Sequence, residues 1–117
     1  MPIDNALASI AVTDLAVAER WYRELLGQAG SKPMPEVIEW KFPNGGGLQV
    51  YALGERAGHC SCTLVVRDID GEVKKLDGMG VDTRQRTSTP RVKTVMIVDP
   101  DGNHIALAEA DDPSLVK

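Results

Sequence analysis

The sequence predicts one small α+β domain, residues 1–117, built from two tandem βαβββ modules whose strands form a cupped mixed β-sheet with the helices outside. The order of strand, helix and three strands occurs twice, at about residues 5–54 and about 59–110. The two copies also agree locally, because residues 10–15 (IAVTDL) parallel residues 64–69 (LVVRDI). A repeat of this kind indicates two similar structural units that pack together.

In the first module, residues 5–12 alternate as a strand, and Asp14 is placed as a helix N-cap. Apolar residues at helical spacing predict the face that this helix buries in the core: Leu15, Ala18, Trp21, Tyr22 and Leu25. Gly27 is suited to end the helix. The three following strands are expected at residues 28–36, which is the weakest of them, 37–42 and 48–53.

The second module repeats this pattern. Residues 60–66 predict a strand, and Asp68 is its N-cap candidate. The buried face of the second helix is expected to hold Ile69, Val73 and Leu76, and Gly78 or Gly80 ends the helix. The last three strands are expected at residues 81–86, 92–98 and 104–109, with a turn at 99–102.

Composition excludes several broad classes of protein. The 117 residues carry a net charge of −4, with 43% hydrophobic and 26% charged residues, which is typical of a globular domain. An acidic chain without a run of lysine or arginine is a poor candidate for binding nucleic acid or an anionic membrane. No stretch has the ~18 apolar residues of a membrane span, and the N-terminus does not resemble a signal peptide. We therefore expect a cytoplasmic protein.

Two segments together carry a family resemblance. Residues 12–15 (VTDL) with 21–27 (WYRELLG), and residues 98–107 (VDPDGNHIAL), resemble the opening and closing motifs of the vicinal oxygen chelate superfamily, the glyoxalase and bleomycin-resistance fold. With the internal repeat, the resemblance covers nearly the whole chain. The superfamily includes isomerases, epimerases, dioxygenases, fosfomycin-modifying enzymes and proteins that sequester antibiotics, so the fold alone does not predict the activity.

The resemblance also indicates where metal ligands would lie. Enzymes of the superfamily hold a divalent metal with His and Glu side chains on the first and last strands of each module. In this sequence the matching positions are Leu7, Gln49, Ser61 and Ala106. Leucine and alanine offer no donor atom, and neutral serine and glutamine are weak ligands. We therefore expect neither a metal nor another cofactor.

The histidines and cysteines are the other candidate ligands. His104 shares a strand face with Ala106, so it either projects into the cleft or lies exposed beside the turn. His59, Cys60 and Cys62 could suggest zinc or copper, although the cysteines should face the helix side if Ser61 faces the cleft. A disulfide between cysteines one residue apart on a strand is not expected.

Strand alternation suggests which residues line a ligand cleft. We expect it to contain aromatic residues on the third and fourth strands and small polar residues elsewhere: Trp40, Phe42, Gln49, Tyr51, Ser61, Thr63 and His104. For Trp40 and Phe42 the alternative is packing in the core or in a subunit interface.

Two functions remain open from the sequence. The leading hypothesis is metal-independent binding of a small aromatic or amphipathic molecule, as in antibiotic sequestration. The alternative is a metal-dependent lyase, isomerase, epimerase or dioxygenase with relocated ligands, using His104, Glu39 or Glu109. By resemblance we also expect a homodimer.

Overall fold

The computed structural model describes residues 2–110 of the chain. The elements follow the predicted order: β1 (Leu7–Val12), α1 (Leu15–Leu26), β2 (Ser31–Met34), β3 (Val37–Lys41), β4 (Gly47–Ala52), β5 (Ser61–Val65), α2 (Ile69–Gly78), β6 (Gln85–Ser88), β7 (Val92–Val98) and β8 (His104–Ala110). They form two compact units. Among the described residues, the first runs to Cys60 and includes Pro100–Asn103, and the second holds Ser61–Asp99 and residues 104–110.

Each unit contains one four-stranded mixed sheet and one helix. The strand order is β1-β4-β3-β2 in the first sheet and β5-β8-β7-β6 in the second. In each sheet the first strand of the module pairs in parallel with the last, and the remaining pairs are antiparallel. The predicted α+β class with two βαβββ modules is confirmed. Neither helix in residues 2–110 is long and apolar enough to cross a bilayer.

The core of the first unit lies between α1 and one face of its sheet. The Asp14 carboxylate caps the helix by accepting hydrogen bonds from the N–H groups of Ala16 and Val17 at 2.9 and 3.3 Å. Tyr22 is fully buried against the sheet. Trp21, which was expected in the core, is only half-buried and contacts Tyr22 edge to face, with ring centroids 4.8 Å apart.

The second unit is built in the same way. Asp68 caps α2 by accepting a hydrogen bond from the N–H of Gly71 at 3.1 Å. The helix buries the three predicted residues, Ile69, Val73 and Leu76. The sheet contributes its own buried residues to this core: Leu64, Val95, Ile97, Ile105 and Leu107.

Strand β6 begins later than the sequence predicts. Residues 81–84 are not in a strand. The Thr83 hydroxyl instead donates a 2.7 Å hydrogen bond to Asp77 at the end of α2, and Arg86 donates to the Thr83 carbonyl at 2.6 Å. These bonds hold the connection against the helix end, and its backbone lies outside the sheet.

The turn at Pro100–Asn103 closes an edge of the first unit. Asn103 is fully buried, and its Nδ2 donates to the carbonyl of Ala11 at 2.8 Å. Its Oδ1 accepts from the N–H groups of Gly58 and Cys60 at 2.9 and 3.0 Å. One amide therefore joins β1, the segment after β4 and the turn before β8.

Candidate functional site

The candidate ligand residues lie on the face of each sheet that is opposite its helix. We call these the first and second helix-free faces. The first is formed by the residues of β1, β3 and β4 that alternate with the core residues. Gln49 lies there between Ser9 and Glu39, its register partners on the neighbouring strands. The Ser9 hydroxyl donates a hydrogen bond to Gln49 Oε1 at 3.3 Å.

Tyr51 shares the first helix-free face with Gln49, as the sequence predicts. It is half-buried, and its register partners are Ala11 and Val37. Both partners are buried, with Ala11 0% and Val37 5% exposed. The aromatic ring of Tyr51 therefore belongs to an apolar row beside the polar row that contains Gln49.

The prediction that Trp40 shares this surface is wrong. Trp40 pairs with Leu48 and lies on the helix side of the sheet, where it is 2% exposed. Its ring packs near Tyr22, with centroids 6.1 Å apart, and its Nε1 donates to the carbonyl of Gln28 at 2.9 Å. Trp40 is a core residue, which is the alternative that the sequence left open. Phe42 lies after the end of β3, half-buried in the turn to β4.

The second helix-free face brings together the other predicted residues. Ser61 pairs with His104, and Thr63 pairs with Ala106. All four alternate with the core residues of β5 and β8. Ser61, Thr63 and His104 are exposed.

A depression of about 470 Å³ lies beside this face. Its wall includes Gln85 and Met96, which are register partners, and Val98, which pairs with His104. This volume is within the range of small-molecule sites. Sequence reasoning did not select Gln85 or Met96, although both share the face of Ala106 through the β6–β7–β8 register.

Asp82 and Arg84 lie at the rim of the depression. The Arg84 guanidinium donates to both oxygens of the Asp82 carboxylate, at 3.0 and 2.9 Å. These hydrogen bonds hold the pKa of Asp82 at about 2, below its ordinary value of 3.8. The same pairing raises the pKa of Arg84.

The four positions that match the superfamily's metal ligands hold no carboxylate and no imidazole. The strand registers support the match, because Leu7 and Ser61 occupy equivalent places in their sheets, as do Gln49 and Ala106. Only Gln49 has an oxygen suited to a divalent cation, and its Oε1 already accepts the Ser9 hydrogen bond. Within residues 2–110, no three His, Cys, Asp or Glu side chains cluster as metal ligands would.

Glu109, which the sequence offered as a candidate relocated metal ligand, is not on the same sheet face as His104. It alternates with Ala108, so it lies on the helix side of the second sheet. There its Oε2 accepts a hydrogen bond from the N–H of Ile69, in the first turn of α2, at 3.3 Å. Glu109 therefore helps to cap the helix and does not share a surface with His104 and Ala106.

The cysteines also have structural contacts. Cys60 Sγ accepts a hydrogen bond from the N–H of Ala11 at 3.4 Å. Cys62 pairs with Ile105 and lies on the helix side of its sheet, as expected. No disulfide joins them.

Comparison with known proteins places this geometry in a family. No family model matches the chain, and no curated protein matches it. Among solved structures, a glyoxalase/bleomycin resistance protein from Catenulispora acidiphila DSM 44928 is 34% identical, with a TM-score of 0.79, over 90% of this chain and 96% of that one. TnmS3, an antibiotic binding protein from Streptomyces sp. CB03234, is 25% identical, with a TM-score of 0.79, over 95% and 99%.

A lactoylglutathione lyase from Agrobacterium tumefaciens, 18% identical, shares the fold with a TM-score of 0.77 over 93% of this chain and 95% of its own. The strand order, the repeated module and the 34% identity agree. The chain therefore belongs to the glyoxalase/bleomycin resistance protein family of the vicinal oxygen chelate superfamily.

Proposed function

We propose that this protein binds a small aromatic or amphipathic molecule on its helix-free faces without a metal ion. The observation that carries the proposal is the residue set at the superfamily's ligand positions: Leu7, Gln49, Ser61 and Ala106. Metal catalysis normally requires about three strong protein ligands and one open position. Capture of a ligand requires only a shaped surface with a few polar groups.

The residues proposed to contact ligand are those that the structure keeps on these faces. On the first they are Gln49 and Tyr51. On the second they are Ser61, Thr63 and His104, next to the depression at Met96. Trp40 is removed from the set because it is buried in the core. A tyrosine ring and neutral hydrogen-bonding groups suit a molecule with an apolar ring.

The similarity to TnmS3 supports the binding role, since that protein is described as an antibiotic binding protein. We therefore propose that the helix-free faces serve to sequester an antibiotic-like molecule. The expectations of a cytoplasmic location, of a homodimer and of no nucleic-acid partner remain predictions.

Metal content tests the proposal directly. The untagged protein is incubated in turn with Ni²⁺, Zn²⁺, Mn²⁺ and Fe²⁺, desalted, and its bound metal is counted.

We expect essentially no metal on the wild-type chain, because the four positions hold neither a carboxylate nor an imidazole donor. About one metal per wild-type chain would overturn the proposal and would direct the work to isomerase, epimerase and dioxygenase assays.

A further inference from the structure

A row of polar side chains crosses the first helix-free face. The register of the sheet aligns Ser31 with Glu39, Glu39 with Gln49, and Gln49 with Ser9. Neighbours across strands have Cβ atoms about 5 Å apart, so one small polar group can touch two of them. The row offers a carboxylate, an amide and two hydroxyl groups.

The next row on the same face is apolar and aromatic. Met34 is aligned with Val37, Val37 with Tyr51, and Tyr51 with Ala11. Rows on one face are two residues apart, which is about 7 Å along a strand. A ligand with a ring over Tyr51 can therefore place a polar group at Glu39 through a short linker.

Glu39 is a carboxylate on this face that has no charged partner among the described residues. It is half-buried, and within residues 2–110 its carboxylate has neither a hydrogen bond nor an ion pair. Lys41, two residues along β3, is the other charged residue on the face, and it is exposed and forms no ion pair with Glu39. A partly desolvated carboxylate is stabilised when a cation approaches it.

The second helix-free face differs in charge. Its strand residues are serine, threonine, glutamine, methionine, valine, alanine and His104, with no Asp, Glu, Lys or Arg among the described side chains. The charged residues at the rim of its depression, Asp82 and Arg84, form an ion pair with each other. We therefore look for a charge preference on the first face.

We infer that the first helix-free face selects ligands that carry a protonated amine next to an aromatic or apolar body. The ammonium group donates hydrogen bonds to the Glu39 carboxylate, and the ring packs on Tyr51, whose π face also attracts a cation. This inference rests on the proposed binding function and adds the charge of the ligand to it.

The test uses three probes of nearly equal size: 2-phenylethylammonium, 2-phenylethanol and 3-phenylpropanoate. Each is titrated into the full-length ¹⁵N-labelled protein, and the amide shifts give the affinity and the location. We expect the ammonium to bind tightest and the carboxylate weakest, with the largest shifts on β3 and β4 around Glu39 and Tyr51.

Three variants assign the charge preference. Glu39→Gln keeps the shape of the side chain and should reduce the preference for the ammonium over the alcohol by roughly three- to tenfold. Glu36→Gln, an exposed glutamate between β2 and β3, should leave the preference unchanged. Lys41→Gln should strengthen ammonium binding, because it removes a like charge from the face.

Equal affinities for ammonium and alcohol, a preference that survives Glu39→Gln, or shifts confined to other elements would each overturn the inference. Equal affinities would leave the small-molecule function standing. Stoichiometric metal would overturn that function without touching the amine preference, so the two failures are distinguishable. If Glu39→Gln did not fold, the relative affinities of the three probes for the wild-type chain would still test the preference for an amine.

Discussion

Asn103 shows how much a single buried side chain does in this protein. Its side chain forms hydrogen bonds with three backbone groups: the carbonyl of Ala11 and the N–H groups of Gly58 and Cys60. Buried backbone groups without partners are costly, so the amide specifies one arrangement of three segments. Aspartate or leucine at this position could not provide both the donor and the acceptors.

We predict that Asn103→Ala lowers the free energy of unfolding by about 2–4 kcal/mol, because it leaves several backbone groups unsatisfied at once. Asn44→Ala, in the exposed turn after β3, is the matched control and should change stability by less than about 0.5 kcal/mol. Urea unfolding followed by circular dichroism measures both. Equal stability of the two variants would contradict the role given to Asn103.

Asp82 provides a pH-dependent prediction. Its pKa in the folded protein is about 2, below the ordinary value of 3.8, so the pairing with Arg84 is complete above pH 3.8 and is lost as the pH falls towards 2. Arg84→Gln should return the pKa of Asp82 towards 3.8. Side-chain NMR titration of the carboxyl carbon measures the pKa in each protein, and an unchanged value in the variant would refute the pairing as the cause.

At the scale of single elements, the two helices have unequal caps. The Asp14 carboxylate accepts from two backbone N–H groups of α1, whereas Asp68 accepts from one in α2. The second helix also begins with Asp70 and Glu72 in its first turn, which favour its N-terminus electrostatically, and α1 has no acidic residue there. The first helix therefore depends more on its cap.

We predict that Asp14→Ala destabilises the protein by about 1–2 kcal/mol and Asp68→Ala by about 0.5–1 kcal/mol. Thermal unfolding of both variants, with the exposed Asp4→Ala as a control, compares them under one set of conditions. A larger loss for Asp68→Ala would show that the number of N–H partners does not rank the two caps.

Alternation and caps in the sequence were enough to predict the order of the helices and strands, but they did not assign the faces of β3. Both sides of this strand carry apolar residues, such as Val37 and Ile38, so alternation does not distinguish the core side. The register of β3 on β4 pairs Glu39 with Gln49 and Trp40 with Leu48, so Trp40 lies on the helix side. The pairing of the strands, and not the local sequence pattern, therefore determines that Tyr51 lies on the helix-free face and Trp40 does not.

The face of Ser61, Thr63 and His104 was predictable because β5 and β8 each have one clearly apolar side. The start of β6 was not, since the bonds of Thr83 to Asp77 and Arg86 join residues on different elements. Residues 81–86 contain only a weak alternating pattern, which these side-chain bonds override.

At the scale of the whole molecule, the two modules share one topology but carry different chemistry on their helix-free faces. The equivalent positions Gln49 and Ala106, and Leu7 and Ser61, hold different residue types. The charged residues Glu39 and Lys41 of the first face have no charged counterparts on the second face. The two modules therefore share a backbone fold, but the side chains on their helix-free faces differ.

We predict that the protein is a homodimer, with a mass in solution of twice 12.6 kDa. Light scattering coupled to size-exclusion chromatography measures this mass across a range of concentrations. The expectation comes from the resemblance to superfamily members that pair two chains. A mass of one chain at all concentrations would contradict it.

The turn at Pro100–Asn103 makes the two halves of the sequence structurally unequal. It is encoded in the second module but completes the first unit. A fragment cut after Cys60 would contain every strand of the first sheet and yet leave the Ala11 carbonyl and two loop amides without Asn103. The first compact unit is therefore not encoded by one continuous stretch of sequence, and its stability depends on a turn that follows more than 35 residues of the second unit.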